Sequence, residues 1–334
     1  MTTTERVAAP ASPRAAASRP LLAVDSLGVQ FRLRDASVRA VTDLSLTVRA
    51  GELLAIVGES GCGKSVLAHA LLGLLPANAM ITGHAVLHHP DTEPVDLVTC
   101  GQRHLARKVR GRRVGLVPQS PATALNPVRT GRRLLTETLR VHRRDREDAD
   151  QLAVDVGLDP ADLDRYPHEL SGGMAQRLVT ALALAPDPSL LIADEPTTGL
   201  DRPLVDHTLD LLRRRCDNGS AVVLITHDLA AAQRVADTVA VMYASRIVEH
   251  RETAQLFAAP THPYAAALLD ALPDRAFRPV PGDPPMLTAL PPGCAFAPRC
   301  PRRTDNCASR PQPTPVVGGG TVACHHPILT GAVT

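Results

Sequence analysis

The sequence predicts an α/β protein whose parallel sheet carries a phosphate-binding edge, and three observations lead there. Short unbroken apolar runs at 53–57 ("LLAIV"), 189–193 ("SLLIA") and 221–226 ("AVVLIT") have the length and continuity of strands buried on both faces. The first is followed at once by "GESGCGKS", Gly58 to Ser65, and then by "VLAHALLGLL", giving the strand, loop and helix order of a phosphate loop. The other two end in "DEP" and "HD", polar groups that a parallel sheet delivers to one carboxyl edge.

With 334 residues the chain can form one large domain with an appendage, or two domains. Its first 20 residues are rich in Ala, Pro, Ser and Thr without an apolar block, so they are read as a disordered leader and not as a signal peptide. The longest apolar stretch, "LVTALALA" at 178–185, is cut by "PDP" well short of a membrane span, and a cytoplasmic chain with reduced thiols is expected. Thirty-six basic against 34 acidic residues leave a net charge of +2, too little to draw the chain to nucleic acid or anionic lipid. Aromatic residues make up 2% with no Trp, so stacking platforms for single strands are scarce.

The loop is the first element with chemistry. Glycine lets the backbone N–H groups of Gly58, Glu59, Ser60, Gly61, Cys62 and Gly63 close around phosphates. Lys64 reaches the β and γ phosphates, and the Ser65 hydroxyl ligates Mg²⁺. The chain has only two lysines, Lys64 and Lys108, and one stands where a compact ammonium is required. Cys62 is read as a tolerated small residue, since the loop works there through its backbone. At the end of the second strand, Asp194 is placed to hold Mg²⁺ through water and Glu195 to act as general base for a hydrolytic water. His227 ends the third strand on the same edge, where a polar role beside the γ phosphate is expected.

Between these strands lies "LSGGMAQR", Leu170 to Arg177, which resembles the signature motif of ABC-transporter ATPases, with Met174 where the familiar form has Gln. Together with "YPHELSGGMAQR", "LLIADEPTTGLD" and "PQSPATALNPV", it makes residues 21–326 similar to the ATP-binding subunits of dipeptide and oligopeptide importers. The resemblance implies a P-loop ABC-type nucleotide-binding domain, a RecA-like core with antiparallel β and helical subdomains, and a small Cys-rich C-terminal extension. The expected boundaries are 1–20 for the leader, 21–258 for the ATPase, with its helical part at about 120–185, and 259–334 for the extension.

Carried over, the resemblance makes Gln119 the glutamine that contacts Mg²⁺ and the attacking water, and His227 the switch histidine. Ser171, Gly172, Gly173 and Met174 would act in trans on ATP held by a partner, and Asp201 would link the two sites. Phe31 stands where an aromatic stacks on adenine; it reads equally as a core residue of the strand "GVQFRL". A Ser-Gly-Gly at a helix start offers free N–H groups and a positive dipole end, which is the physical basis of a shared site. Gly199 and Ala175 depart from the family's usual residues without touching the hydrolytic groups, so a competent ATPase is expected.

The implied partners are a second ATPase subunit, as a heterodimer or a homodimer, two membrane permease subunits and, indirectly, an extracytoplasmic solute-binding protein, at the cytoplasmic face of the inner membrane. Nucleic acid is not expected as a partner. Dipeptides, oligopeptides, nickel and other metal chelates remain open as cargo. A non-transport redox or metal-sensing ATPase is the alternative of a different class.

The segment 130–169 reads as helical: in "EDADQLAVDVGL", Ala149, Leu152, Ala153 and Val156 keep one face and Gly157 ends the helix. The arginines from 103 to 113 are read as a solvated face near it. The Pro-rich tail, with a short helix at 264–272, holds Cys294, Cys300, Cys307 and Cys324, spaced by five, six and sixteen residues. Disulfides are disfavoured by the compartment. Zinc on four Cys, or on three with His325 or His326, lacks the usual close pairs; an iron–sulfur cluster takes four thiolates, and ligand-free thiols are the fourth possibility. The resemblance selects a [4Fe-4S] cluster, with zinc the alternative, because some family members carry one at cysteines placed like these.

Overall fold

The computed structural model describes residues 19–89 and 92–329. The leader reading falls on residues of which all but two lie outside this range. Strands β1 (Leu22–Arg32) and β2 (Ser37–Val48) pair as a long antiparallel ribbon. The chain leaves it as β3 (Leu53–Val57), then returns as β4 (Ala79–His89) and β5 (Thr92–Asp96), giving the order β2-β1-β4-β5. Strand β3 belongs to a second sheet with β6 (Val114–Val117), β7 (Leu190–Asp194), β8 (Ala221–Ile225) and β9 (Thr238–Tyr243). These five are parallel in the order β9-β3-β8-β7-β6, so all their carboxyl ends lie along one edge.

Every residue of β3, β7 and β8 is buried, which explains their unbroken apolar runs. Alternate side chains point to opposite faces of a strand. Leu54, Ile56, Leu190 and Ile192 join the core under the antiparallel sheet and α1 (Lys64–Leu71). Leu53, Leu191, Ala193 and Leu224 join the core shared with α2 (Gly131–Val141), α3 (Asp148–Asp155), α4 (Gly172–Leu184) and α5 (Arg202–Asp217). In α3 the expected face is realised, with Ala149, Ala153 and Val156 buried and Leu152 half-buried. Gly157 ends it at φ 75°, and the Leu158 N–H donates to Ala153 O at 2.8 Å. Arg110 departs from the solvated-face reading: its guanidinium is half-buried and donates to Leu72 O at 2.6 Å and Gly73 O at 2.8 Å, closing the end of α1.

After α6 (Leu229–Val235) and β9, strand β10 (Arg246–Glu252) runs antiparallel to β9. Helices α7 (Thr253–Ala258) and α8 (Pro263–Asp270) follow. The remaining chain is mostly irregular, but it is tied to the sheet by two-residue strands β11 (Thr314–Pro315) and β12 (Thr321–Val322), the latter pairing with β10. Although set apart in the sequence, this segment packs into the same core as β9 and α7. Tyr243, Tyr264 and Phe296 meet with ring centroids 4.4 to 5.4 Å apart, and Phe296 is 1% exposed. The scarce aromatic residues are thus concentrated where the extension docks.

Candidate functional site

Strand β3 delivers the glycine-rich loop to the carboxyl edge. Gly58 has φ 153°, and a Cβ there would stand 2.1 Å from Met242 O; Gly63, at φ 111°, would bring one to 1.9 Å from Ala40 O. Only glycine fits at either position, because the loop is wedged between β9 and β2. Lys64, 7% exposed, opens α1, and its Nζ donates to Gly58 O at 2.8 Å and Glu59 O at 3.1 Å. Those carbonyls hold the ammonium at the loop, aimed at the space the loop encloses.

Around that space the other strand ends supply acids and a base. Asp194, 2% exposed, ends β7; burial pushes its carboxyl up, against the opposing hydrogen bond from the Ser65 hydroxyl. Its Oδ1 is buried without a hydrogen-bond partner. A buried, unsatisfied carboxylate oxygen beside a serine hydroxyl fits a hydrated Mg²⁺, which would satisfy it. Glu195, 7% exposed, has φ 50°, the left-handed region that strains a non-glycine residue. Its carboxylate stands 2.9 Å from His227 Nδ1, while the His227 side chain remains 70% exposed. A cavity of about 480 Å³ brings together Ser60, Gly61, Gly63, Lys64, Ser65, Gln119, Glu195 and His227, with Phe31, Val38, Ala40 and Leu287 at its apolar end. Phe31 lines this cavity and also packs against the core beneath β1.

Other expected residues lie elsewhere. Cys62 is buried behind the loop, and burial raises its thiol pKa, in keeping with a packing residue. Glu59 does not line the cavity. Its carboxylate instead pairs with Arg299 and its N–H donates to the Tyr264 hydroxyl at 3.0 Å. Ser171 caps α4, its Oγ accepting the Met174 N–H at 3.2 Å, and Ser171, Gly172, Gly173 and Met174 do not line this chain's own cavity. A Cβ on Gly172 would meet nothing within 4 Å, so the helix start is open to an approaching group. Asp201 occupies the N-cap position of α5 without using its side chain as a cap. Sequence reasoning missed the roles of Tyr264, Leu287 and Arg299, whose segments carry no motif and whose partners lie far back in the chain.

The four tail thiols are gathered. Burial is the main cause pushing Cys324 up to about 11, and nearby Cys294, Cys300 and Cys307 add to it. The Arg302 N–H donates to Cys300 Sγ and the His326 N–H to Cys324 Sγ, each at 3.4 Å. All seven cysteines are free. Gathering falls short of ligation, however: among the described residues, no three His, Cys, Asp or Glu side chains are placed to hold a metal ion. The imidazoles are engaged elsewhere, His326 Nε2 with the Thr304 hydroxyl and His325 Nε2 with Ser309 O.

Comparison with known proteins agrees with this geometry. Residues 41–198 match the family described as ABC transporter, and residues 248–307 the one described as oligopeptide/dipeptide transporter, C-terminal region. The chain is similar to the oligopeptide transport ATP-binding protein OppD of Haemophilus influenzae, 41% identical over 309 residues, covering 88% of this chain and 94% of that protein. OppD of Escherichia coli is 40% identical over 323 residues, covering 92% of this chain and 94% of its own length. Among solved structures, the ATP-binding cassette MJ0796, a dimer in a post-hydrolysis state bound to ADP and Pi, superposes with a TM-score of 0.62 at 22% identity. It covers 70% of this chain and 98% of its own, a likeness of fold.

Proposed function

The chain belongs to the ABC-transporter ATPase family, in its oligopeptide/dipeptide branch, and from that premise we propose that it hydrolyses Mg-ATP to drive a peptide importer. One observation carries the reading: Lys64, Ser65, Gln119, Glu195 and His227 line a single cavity at the carboxyl edge of the parallel sheet, with the unsatisfied Asp194 Oδ1 beneath it. The loop N–H groups and the start of α1 attract the phosphates. A phosphate oxygen competes with Gly58 O and Glu59 O for the Lys64 protons. Ser65, Asp194 and Gln119 would hold Mg²⁺, which neutralises phosphate charge when bound. Glu195 orients and deprotonates the attacking water, and its bond to His227 keeps the carboxylate turned to the edge.

The open start of α4 supports a second ATPase subunit as partner, with Ser171, Gly172, Gly173 and Met174 reaching the γ phosphate it holds, and with Asp201 between the two sites. No helix among the described residues is long and apolar enough to cross a membrane, so the transport path is assigned to separate permease subunits, fed by a solute-binding protein. The chain then sits peripherally at the inner face of the membrane. The division into an ATPase at 21–258 and an extension at 259–334 is kept as a functional one.

The tail thiols are assigned as ligands of a [4Fe-4S] cluster, with zinc the alternative. Their convergence and the two N–H···S bonds support this. Anaerobic purification followed by iron, sulfide and zinc analysis tests the assignment; absence of all three from a folded protein ends it.

Hydrolysis is tested by Glu195→Gln. Turnover should fall at least ~100-fold, the usual worth of a positioned base, while Mg-ATP binding stays within about two-fold. Full-rate hydrolysis in that variant would overturn the assignment.

A further inference from the structure

Glu59 is the second residue of the phosphate loop, yet its carboxylate and its backbone N–H both lead to the C-terminal extension. Its two carboxylate oxygens accept from Arg299, Oε2 from Nη1 and Oε1 from Nη2, both at 2.9 Å. The pair is shielded, with 5% of the Arg299 side chain exposed and 23% of that of Glu59. The rest of the guanidinium is satisfied as well: Nε donates to Pro281 O at 2.6 Å and Nη1 to the Tyr243 hydroxyl at 3.1 Å. The backbone of Glu59 is held from the same side, its N–H donating to the Tyr264 hydroxyl at 3.0 Å. On the other side, Glu59 O accepts from Lys64 Nζ at 3.1 Å.

A bidentate, desolvated arginine–carboxylate pair fixes direction as well as distance. Here it fixes a residue between Gly58 and Gly61, in a stretch whose glycines would otherwise leave the backbone free. A loop that spends part of its time out of its phosphate-binding form binds more weakly by the reciprocal of the competent fraction.

We propose that Arg299 is a positioning residue for the nucleotide site: its bidentate pair with Glu59 lets the C-terminal extension hold the phosphate loop in its binding form. The proposal rests on the reading of the cavity as an ATP site. It predicts an effect on binding and not on the chemical step, because Arg299 touches none of Asp194, Glu195 and His227.

The test uses the full chain, with Mg-ATP affinity by calorimetry and steady-state hydrolysis. Arg299→Met should raise both Kd and KM at least about ten-fold, corresponding to a competent fraction of a tenth or less, with kcat within about two-fold. Glu59→Gln keeps the side chain's shape and removes its charge; it should raise Kd at least about five-fold, and it decides the question where Arg299→Met does not fold. In the double variant the two losses should not add, since both remove one pair. Smaller rises in Kd in folded protein, a loss confined to kcat, or additive losses would each overturn the proposal. Lys64→Ala serves as the separate control: if it retains full ATP affinity, the nucleotide reading itself has failed.

Discussion

The carboxyl edge of the parallel sheet and the C-terminal extension are held in place by opposite means. At the edge, each working group is set by the strand immediately before it: Lys64 and Ser65 follow β3, Gln119 follows β6, Asp194 and Glu195 close β7, and His227 follows β8. Backbone hydrogen bonds between buried strands do the positioning, so short contiguous segments suffice. The extension has few such ladders. It is fixed by individual side chains reaching across the molecule, with Phe296 packed edge-on against Tyr243 and Tyr264 and Arg299 on Glu59, 240 positions away. The edge should therefore tolerate loss of a side chain without losing shape, as expected of Glu195→Gln. The extension should lose shape when one anchor is removed.

Phe296→Ala is the largest test of that contrast. Removing a fully buried ring should cost about 3–5 kcal/mol of stability, read from urea unfolding, since the cavity left behind can collapse only in part. Phe277→Ala, on the same segment but at a residue 71% exposed, should change stability by less than about 0.5 kcal/mol. Equal effects of the two substitutions would mean that the aromatic cluster does not anchor the extension.

The same contrast explains what could be read from the sequence. Buried strands announce themselves as unbroken apolar runs, and the groups that end them follow within a residue or two, so Lys64, Glu195 and His227 were legible together. Packing of α3 was legible because its apolar residues recur with the helical period. Nothing comparable marks residues 271–313, where no α-helix or strand forms and no period arises. Arg299 looked like one arginine of "APRCPRR", and its role depends on a carboxylate that the loop motif leaves unspecified. Four cysteines in the tail signalled convergence, which the fold supplies, but spacing holds no information on whether the sulfurs close to ligating distance.

A smaller effect separates the two regions by pH. His262, fully buried at the start of α8, accepts the Tyr264 N–H on Nδ1 at 3.0 Å, and burial lowers its pKa to about 3. The folded state keeps the ring neutral, whereas the unfolded chain takes up a proton below about pH 6.5. The stability it provides is thus intact above that pH and is lost as pH falls toward 3. Between pH 7.5 and 5 the loss should amount to about 2 kcal/mol, at 1.36 kcal/mol per unit below 6.5. Glu249, whose buried carboxyl is raised and accepts the His262 N–H at 2.7 Å, works in the opposite direction. In His262→Asn, which keeps an acceptor for the helix start but does not titrate, stability should fall less between those two pH values than in the wild type. An unchanged pH slope would count against burial of a neutral ring.

The smallest predicted effect lies where the two regions touch. Leu287 belongs to the extension, but its carbonyl accepts the Arg39 N–H at 3.0 Å and its side chain lines the apolar end of the cavity beside Phe31, Val38 and Ala40. That end is suited to the flat, apolar faces of a nucleotide base, while the polar groups gather at the loop end. Because Leu287 remains half-buried, only part of its side chain can be newly covered by a ligand. Leu287→Ala should therefore weaken Mg-ATP binding by about 1 kcal/mol, roughly five-fold in Kd, through lost apolar contact. Inorganic triphosphate, which lacks the base, should bind wild type and variant alike. If triphosphate loses affinity as much as ATP does, Leu287 acts on the loop instead, and the extension has one route to the nucleotide rather than two.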